Sequence, residues 1–231
     1  MLSLYGYGPS ILQGTILTIE LCLASLAIAI LLGISTALAK LSSVGVLNTL
    51  AQLYTTIIRG IPELVLMLLL FFGGQIFVNQ LVILLGYDQY IDINPFMAGV
   101  GTIGFIYGAY MGETFRGAIL SVPKGQLEAG YAYGMTRFQV FTKILLPQMV
   151  RHAIPGFGNN WLVLMKSTAL VSIIGLQDMV RMAGLAAGAT RKPFTFYMTV
   201  ALIYLLLTSI SLLFLNWLNK RYSVGVVEAE S

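Results

Sequence analysis

The residues of this chain that could do chemistry are ionisable side chains set inside long apolar runs. Charged groups are costly within a bilayer and usually face a cavity or a partner, so such positions are candidate functional sites. They could hold a charged cargo through ion pairs, or they could pair with one another and stabilise the helices. The residues concerned are Glu20, Glu63, Glu113, Arg116 and Lys166.

Two of these acidic residues have a basic residue close by in sequence. Glu113 and Arg116 are three positions apart, on one face of a predicted helix, and could form a local ion pair. The alternative is that Glu113 lines a permeation path and meets a cationic group of the cargo. Arg59 and Glu63 lie near the end of a predicted span, where a gate or a salt bridge would fit, and we favour the salt bridge. Glu20 could lie at a subunit interface, but the sequence does not decide its role.

The tripeptide Lys166-Ser167-Thr168 combines a cation with two hydroxyl groups. This set suits a carboxylate ligand in a substrate path, although Lys166 could equally pair with a carboxylate of a partner subunit. The same residues end like a phosphate-binding loop, but that motif requires glycine before the lysine, and Met165 stands there. No nucleophile with a base and no cluster of metal ligands occurs at recognisable spacing, so a membrane enzyme is not expected.

The composition places these side chains in a membrane. The 231 residues are 58% hydrophobic and 10% charged, with a mean hydropathy of +0.86, which is more apolar than a water-soluble domain of this size allows. The formal net charge is +4, but the cations cluster between apolar runs, so nucleic acid is not an expected partner. The single cysteine, Cys22, excludes a disulfide framework within one chain.

Apolar runs of about 20 residues or more predict five membrane-spanning helices. They lie at residues 11–38, 55–85, 95–120, 156–180 and 195–218, and the first is too long for the core of a signal peptide. Residues 86–95, which include Asp88 and Asp92, and residues 183–193 are predicted loops. Tyr107 is interpreted as an interfacial or packing aromatic residue. No internal repeat is found, so residues 1–231 are predicted to form one domain.

Positive charges are distributed unevenly between the two sides of the predicted helices. With the N-terminus outside, roughly nine basic residues face the cytoplasm and three face outwards, as the positive-inside rule favours. The C-terminus and the segment between the third and fourth spans are then cytoplasmic. The cytoplasmic set is Lys40, Arg59, Arg116, Lys124, Arg137, Lys143, Arg151, Lys220 and Arg221, and the outer set is Arg181, Arg191 and Lys192.

The segment at about residues 121–150 changes from apolar to amphipathic. Leu127, Tyr131 and Met135 begin a series of apolar residues at spacings of three and four, which predicts helix. Gly134 interrupts the series and predicts a turn between two short helices. A helix that lies on the lipid surface is the alternative.

This segment resembles the EAA loop of permease subunits of bacterial ABC importers. The likeness rests on Glu128-Ala129-Gly130, on Gly134 and on Pro147, which closes the run Ile-Leu-Leu-Pro. In that family the loop forms a coupling-helix pair that docks on the ATPase subunit, so the resemblance implies a coupling role for these five residues. Gly130 departs from the usual alanine of the signature, which weakens a helix by about 1 kcal/mol.

Further motifs resemble the polar amino acid subfamily in order and spacing. They lie at residues 59–64, 108–117, 121–126, 159–160 and 166–170. Residues 105–110 and 221–226 are most similar to permeases of histidine and lysine/arginine/ornithine importers, with opine and arginine permeases close behind.

The resemblance implies an all-α, type I ABC importer permease fold with five transmembrane helices, and a subunit that is not itself an enzyme. It implies a second homologous permease subunit, a dimer of ATPase subunits that binds ATP and Mg, and a periplasmic or lipid-anchored amino acid binding protein. This chain would then need no cofactor and would lie in the bacterial inner membrane, in contact with lipid. The implied cargo is a polar, cationic amino acid. Opines, glutamine-type cargo and an ion-coupled carrier are the alternatives, although the paired halves of such carriers are not seen.

Overall fold

A computed structural model describes residues 4–87 and 89–222, and this part of the chain is all-α, as predicted. Asp88 of the predicted loop and residues 223–226 of the closing motif lie outside the described residues. A π-helical turn, Phe141–Leu145, precedes α7, and a 3-10 segment, Thr168–Ile174, follows it. The helices are α1 (Gly8–Leu41), α2 (Gly45–Gly60), α3 (Glu63–Leu84), α4 (Pro95–Leu120), α5 (Lys124–Ala132), α6 (Arg137–Val140), α7 (Leu146–Ser167), α8 (Met179–Thr190) and α9 (Pro193–Tyr222).

The centre of the core is the pairing of α1 with α4. Glycine at every fourth position of α4 lets the two backbones approach closely, as small residues do between membrane helices. A Cβ atom at Gly104 would lie 2.6 Å from Ile28 Cγ2, and one at Gly108 would lie 2.7 Å from Leu32 Cβ. Gly112 continues the series with Thr36 opposite it. We call these three glycines the glycine ladder.

The predicted span at residues 55–85 is wrong as a single helix. Helix α2 ends at Gly60, Ile61 is extended at φ −109° and ψ 139°, and α3 begins after Pro62. The residue before a proline is disfavoured in helical backbone, and the proline ring cannot continue a helix, so the break follows from the sequence. Helix α2 is a separate amphipathic helix.

The predicted span at residues 156–180 also differs from the structure. Helix α7 starts ten residues earlier, at Leu146, and ends at Ser167. The 3-10 segment then ends at Ile174, and the next residue, Gly175, has a φ of +98°. The side chain of Asp178 caps α8 by accepting hydrogen bonds from the backbone N–H groups of Val180 and Arg181 at 3.2 and 3.1 Å.

The predicted loop at residues 183–193 is wrong, because α8 continues to Thr190. Its small residues are buried: Ala183 and Ala186 pack with Ile11 of α1 and Phe196 of α9. A Gly/Ala-rich segment resembles a loop in sequence, but here it lets three helices pack tightly. The described part of the loop predicted at residues 86–95 is non-helical up to Asn94, which caps α4.

Three described helices, α1, α3 and α9, are long and apolar enough to cross a membrane. A bent pair, Arg137–Ile174 with Met179–Thr190 at 53°, would add a fourth if it forms one span. Helix α4 has 26 residues, but its glycines, tyrosines and charged residues lower its hydropathy. The count of five spans therefore stays a prediction.

Candidate functional site

The segment between α4 and α7 forms two short helices joined by a turn. Helix α5 ends at Ala132, Gly134 has a φ of +79°, and α6 begins at Arg137. Backbone in this left-handed region favours glycine over residues with a side chain. The prediction of two helices with a turn at Gly134 is therefore confirmed. We call α5, the turn and α6 the coupling elbow, after the role that the resemblance implies for them.

Local contacts make the coupling elbow rigid. Gly130 is buried, and a Cβ atom there would lie 2.7 Å from Ile144 Cδ1 and 3.1 Å from Val140 Cγ2, so alanine would require these side chains to shift. Thr136 and Gln139 form a capping box: the Gln139 N–H donates to Thr136 Oγ1 at 3.3 Å, and the Thr136 N–H donates to Gln139 Oε1 at 2.9 Å. Our sequence analysis missed this box, although its spacing is visible in the sequence. Pro147 lies two residues after the π-helical turn, and its missing N–H cannot donate a hydrogen bond to that turn.

The outer surface of the coupling elbow carries large exposed aromatic side chains. Tyr133 is 88% exposed and Phe138 is 74% exposed, and Tyr131 lies beside them. Glu128 and Ala129 are exposed on α5, and the described residues offer Glu128 no hydrogen bond or ion pair. Exposed aromatic groups on an otherwise polar segment are typical of an interaction surface.

A carboxylate and two hydroxyl groups meet in the interior, where α3, α4 and α7 converge. Tyr107 Oη donates to Glu63 Oε1 at 3.0 Å, and Ser167 Oγ donates to Glu63 Oε2 at 2.6 Å. The two hydroxyl oxygens are 2.7 Å apart. Tyr107 is 2% exposed, so it is not an interfacial anchor. We call these three residues the Glu63 cluster.

The expected salt bridge between Arg59 and Glu63 is not formed among residues 4–87 and 89–222. The Arg59 guanidinium instead lies 5.4 Å from the centre of the Tyr110 ring. The break at Pro62 places Arg59 on α2 and Glu63 on α3, which separates their side chains. Glu63 has no cation within ion-pair distance in the part of the chain that the structure describes.

Glu113 lies in a second cluster, in which two cations contact one carboxylate. Arg116 Nε and Nη2 are each 3.0 Å from Glu113 Oε2, so the two side chains pair as the three-residue spacing allows. Lys40 Nζ donates to Glu113 Oε1, a contact across 73 positions that our sequence analysis did not predict. Two cations already neutralise this carboxylate, which favours the ion-pair interpretation over a cargo contact. We call Lys40, Glu113 and Arg116 the ion cluster.

The side chains of the tripeptide at residues 166–168 lie in three different environments. Ser167 belongs to the Glu63 cluster, and Thr168 is buried, with Oγ1 donating to the Met165 carbonyl at 2.6 Å. Lys166 is exposed and has no partner among the described residues, and Glu20 on α1 is exposed as well. The structure therefore brings Ser167 together with Glu63, and it does not bring Lys166 into that cluster.

Comparison with known proteins assigns the chain to a family. Residues 29–224 match the model of the binding-protein-dependent transport system inner membrane component family. The chain belongs to this family. The relatives compared below are amino acid permeases that align with most of this chain.

Two curated relatives are similar to this chain over most of its length. It is 52% identical to the histidine/lysine/arginine/ornithine transport system permease protein HisQ of Salmonella typhimurium, over 98% of this chain and 99% of the relative. It is 40% identical to the octopine transport system permease protein OccQ of Rhizobium radiobacter, over 89% of this chain and 87% of the relative.

The crystal structure of an amino acid ABC transporter with histidines contains a chain with a TM-score of 0.80 and 32% identity, covering 95% of this chain and 97% of that chain. The MetNI methionine ABC transporter shares the fold, with a TM-score of 0.71 and 17% identity, covering 92% and 95%. This chain is therefore a permease of an amino acid ABC importer, with the type I importer permease fold, in the inner membrane. As such it is a non-catalytic subunit.

Proposed function

We propose that this permease imports cationic amino acids of the histidine, lysine, arginine and ornithine type. The observation that carries the proposal is the Glu63 carboxylate, which lies at the meeting point of α3, α4 and α7 and, among the described residues, is hydrogen-bonded only to hydroxyl groups. A half-buried carboxylate within a membrane protein favours a nearby cation. A cargo ammonium or guanidinium group can supply that cation. The names of the relatives support the same cargo class.

Ser167 and Tyr107 prepare Glu63 for this role. Each hydroxyl donates to a different carboxylate oxygen, so the carboxylate is held in one orientation. Both donors are neutral, and no cation pairs with Glu63 within residues 4–87 and 89–222. Lys166, one residue before Ser167, is the candidate for the cargo carboxylate, and Thr168 then only closes the helix end.

The coupling elbow is the proposed contact with the ATPase subunits. Its exposed Tyr133 and Phe138 side chains support a protein partner on this face, as does the exposed Glu128 carboxylate, which has no ion pair within the described part of the chain. The proposed complex contains a second homologous permease subunit, two ATPase subunits that bind ATP and Mg, and an amino acid binding protein outside. The N-terminus then lies outside and the C-terminus in the cytoplasm, as the distribution of basic residues favours.

Octopine is the second candidate cargo, because OccQ is 40% identical to this chain. Octopine carries a guanidinium group, so the same interior carboxylate would serve it. The two cargo types differ in the number of their carboxylates, not in the cation that Glu63 would meet.

The function is tested by purifying the permease with its copurifying subunits and reconstituting the complex in vesicles with the binding protein. We expect ATP-driven uptake of arginine, lysine, ornithine or histidine to exceed uptake of glutamine and leucine at least about tenfold, which corresponds to about 1.4 kcal/mol. ATPase activity should rise with the loaded binding protein. Uptake by the permease alone, driven by an ion gradient, would contradict the proposal.

Glu63→Gln is expected to reduce uptake of cationic amino acids about tenfold, because the amide keeps the shape and loses the charge. Ser167→Ala is the matched variant: it removes one hydrogen bond, keeps the carboxylate charge and should reduce uptake only about two- to threefold. Uptake is measured at equal amounts of assembled complex. If Glu63→Gln leaves uptake unchanged, or lowers it only in proportion to the amount of assembled complex, Glu63 has a structural role and the proposal is contradicted.

A further inference from the structure

The ion cluster lies at the point where the α1–α4 pair meets the coupling elbow. Lys40 is in the last turn of α1, and Glu113 lies about 10 Å of helix before α4 ends at Leu120. Only residues 121–123 separate α4 from α5, and Val122 within them is 3% exposed. A displacement of α5 is therefore transmitted to α4 through a short connection with a buried side chain.

Two further helices, α2 and α7, form hydrogen bonds close to the ion cluster. Asn48 Nδ2, near the start of α2, donates to the Lys40 carbonyl at 2.6 Å. Asn160 Nδ2, on α7, donates to the Thr114 hydroxyl at 2.9 Å, beside Glu113. Four helices are thus tied together by directional polar contacts at one level.

The ion cluster differs in kind from the glycine ladder that holds the rest of α1 against α4. The ladder is van der Waals packing, whereas the ion cluster fixes direction through charge-assisted hydrogen bonds. The Lys40 side chain is 10% exposed and the Glu113 side chain is 20% exposed. Separating the two would leave the poorly solvated Lys40 ammonium without this partner, which is costly, while Glu113 would keep Arg116. The contact therefore resists relative movement of α1 and α4 at the end nearest the coupling elbow.

We propose that the ion cluster makes α1 follow α4 when the coupling elbow moves, and that Lys40 and Glu113 are positioning residues for ATP-driven transport. This inference rests on the proposed function. In this role neither residue needs to contact the cargo or the nucleotide. Without the cluster, α4 would partly slide along α1. Less of its movement would then serve to open the transport path.

The test uses the full reconstituted complex and compares Lys40→Met and Glu113→Gln with the wild type. The readout is the amount of cationic amino acid imported per ATP hydrolysed, at equal amounts of assembled complex. We expect each single variant to lower this ratio about fivefold or more, within the usual range of coupling effects. Hydrolysis itself should persist, because the ATP sites are on other subunits.

Matched variants separate coupling from general damage. Lys40→Arg keeps the charge and should keep most of the wild-type ratio, and Lys220→Met removes an exposed cation at the end of α9 and should leave the ratio unchanged. The double variant Lys40→Met/Glu113→Gln should be no worse than the worse single variant, because both changes break one interaction. If a single variant does not assemble, the amount of amino acid imported per ATP hydrolysed by the double variant tests the inference.

Each outcome has a defined consequence. An unchanged ratio, with uptake lost only in proportion to assembled complex, would overturn the inference and leave the ion cluster a stabilising contact. Fully additive single effects would also overturn it. A wild-type complex without ATP-driven uptake would instead contradict the proposed function.

Discussion

Replacing Gly134 by valine is expected to reduce ATP-driven uptake at least about tenfold while membrane insertion stays normal. Gly134 has a φ of +79°, and a left-handed backbone costs ordinary residues roughly 1–2 kcal/mol, with β-branched side chains the worst suited. The turn would adopt another conformation, and the angle between α5 and α6 would change. The exposed aromatic side chains would then no longer fit one partner surface. Uptake and ATPase activity of the reconstituted complex measure this effect.

Gly125→Val is the matched control for the Gly134 variant. Gly125 lies within α5, has no positive φ, and a Cβ atom there would meet nothing within 4 Å. We expect this variant to keep at least half of the wild-type uptake. Gly134→Asn should fall between the two, because asparagine tolerates left-handed backbone better than valine does. Normal uptake by Gly134→Val would contradict a coupling role for the turn.

Replacing Gly104 by valine is expected to prevent stable packing of α1 on α4. The added Cβ atom alone would lie 2.6 Å from Ile28 Cγ2 and 3.2 Å from the Ser25 carbonyl oxygen. Forcing atoms into a packed interior costs typically 1–3 kcal/mol, and more where backbone must move. We expect a clear loss of folded protein, measured as a lowered melting temperature and a smaller monodisperse fraction in detergent.

Two variants test whether this effect comes from the close approach of α1. Gly117→Val lies on the same helix, where an added Cβ atom meets nothing within 4 Å, and should leave stability unchanged. Gly104→Ala should be milder than valine, and the further change Ile28→Ala should recover part of its loss by removing the opposing methyl groups. A melting temperature of Gly104→Val equal to that of Gly117→Val would contradict tight α1–α4 packing.

Local patterns in the sequence predicted the coupling elbow well. The spacing of apolar residues and the glycine at position 134 are sufficient to define two helices and a turn, because turn geometry is decided by a few neighbouring residues. The resemblance to amino acid permeases led to the all-α fold and the importer function, both of which are confirmed. The coupling and substrate roles of single residues stay predictions.

Errors arose where the sequence signal was overlooked or ambiguous. Pro62 signals the end of α2, yet the high apolarity around it suggested one continuous span. The Gly/Ala-rich stretch of α8 was interpreted as a loop, because composition alone does not reveal that Ala183 and Ala186 are buried against two other helices. Hydropathy thus outweighed backbone chemistry at Pro62, whereas Gly/Ala composition concealed the packed helix α8.

Long-range polar contacts could not be predicted from one sequence. Lys40 meets Glu113 only because the glycine ladder aligns α1 with α4. Glu63 meets Ser167 across 104 positions, after the break at Pro62 has redirected α3. Spacing along the chain identifies partners on the same helix, as for Glu113 and Arg116, but not partners that tertiary packing brings together.

The glycine ladder also has a consequence for how the protein sits in bilayers of different thickness. Helix α1 has 34 residues and is therefore about 50 Å long, whereas the hydrocarbon layer is about 30 Å thick. Because the contacts repeat every four residues, α1 could slip along α4 only in steps of about 6 Å. Small changes in lipid chain length must therefore be absorbed by joint tilting of the two helices.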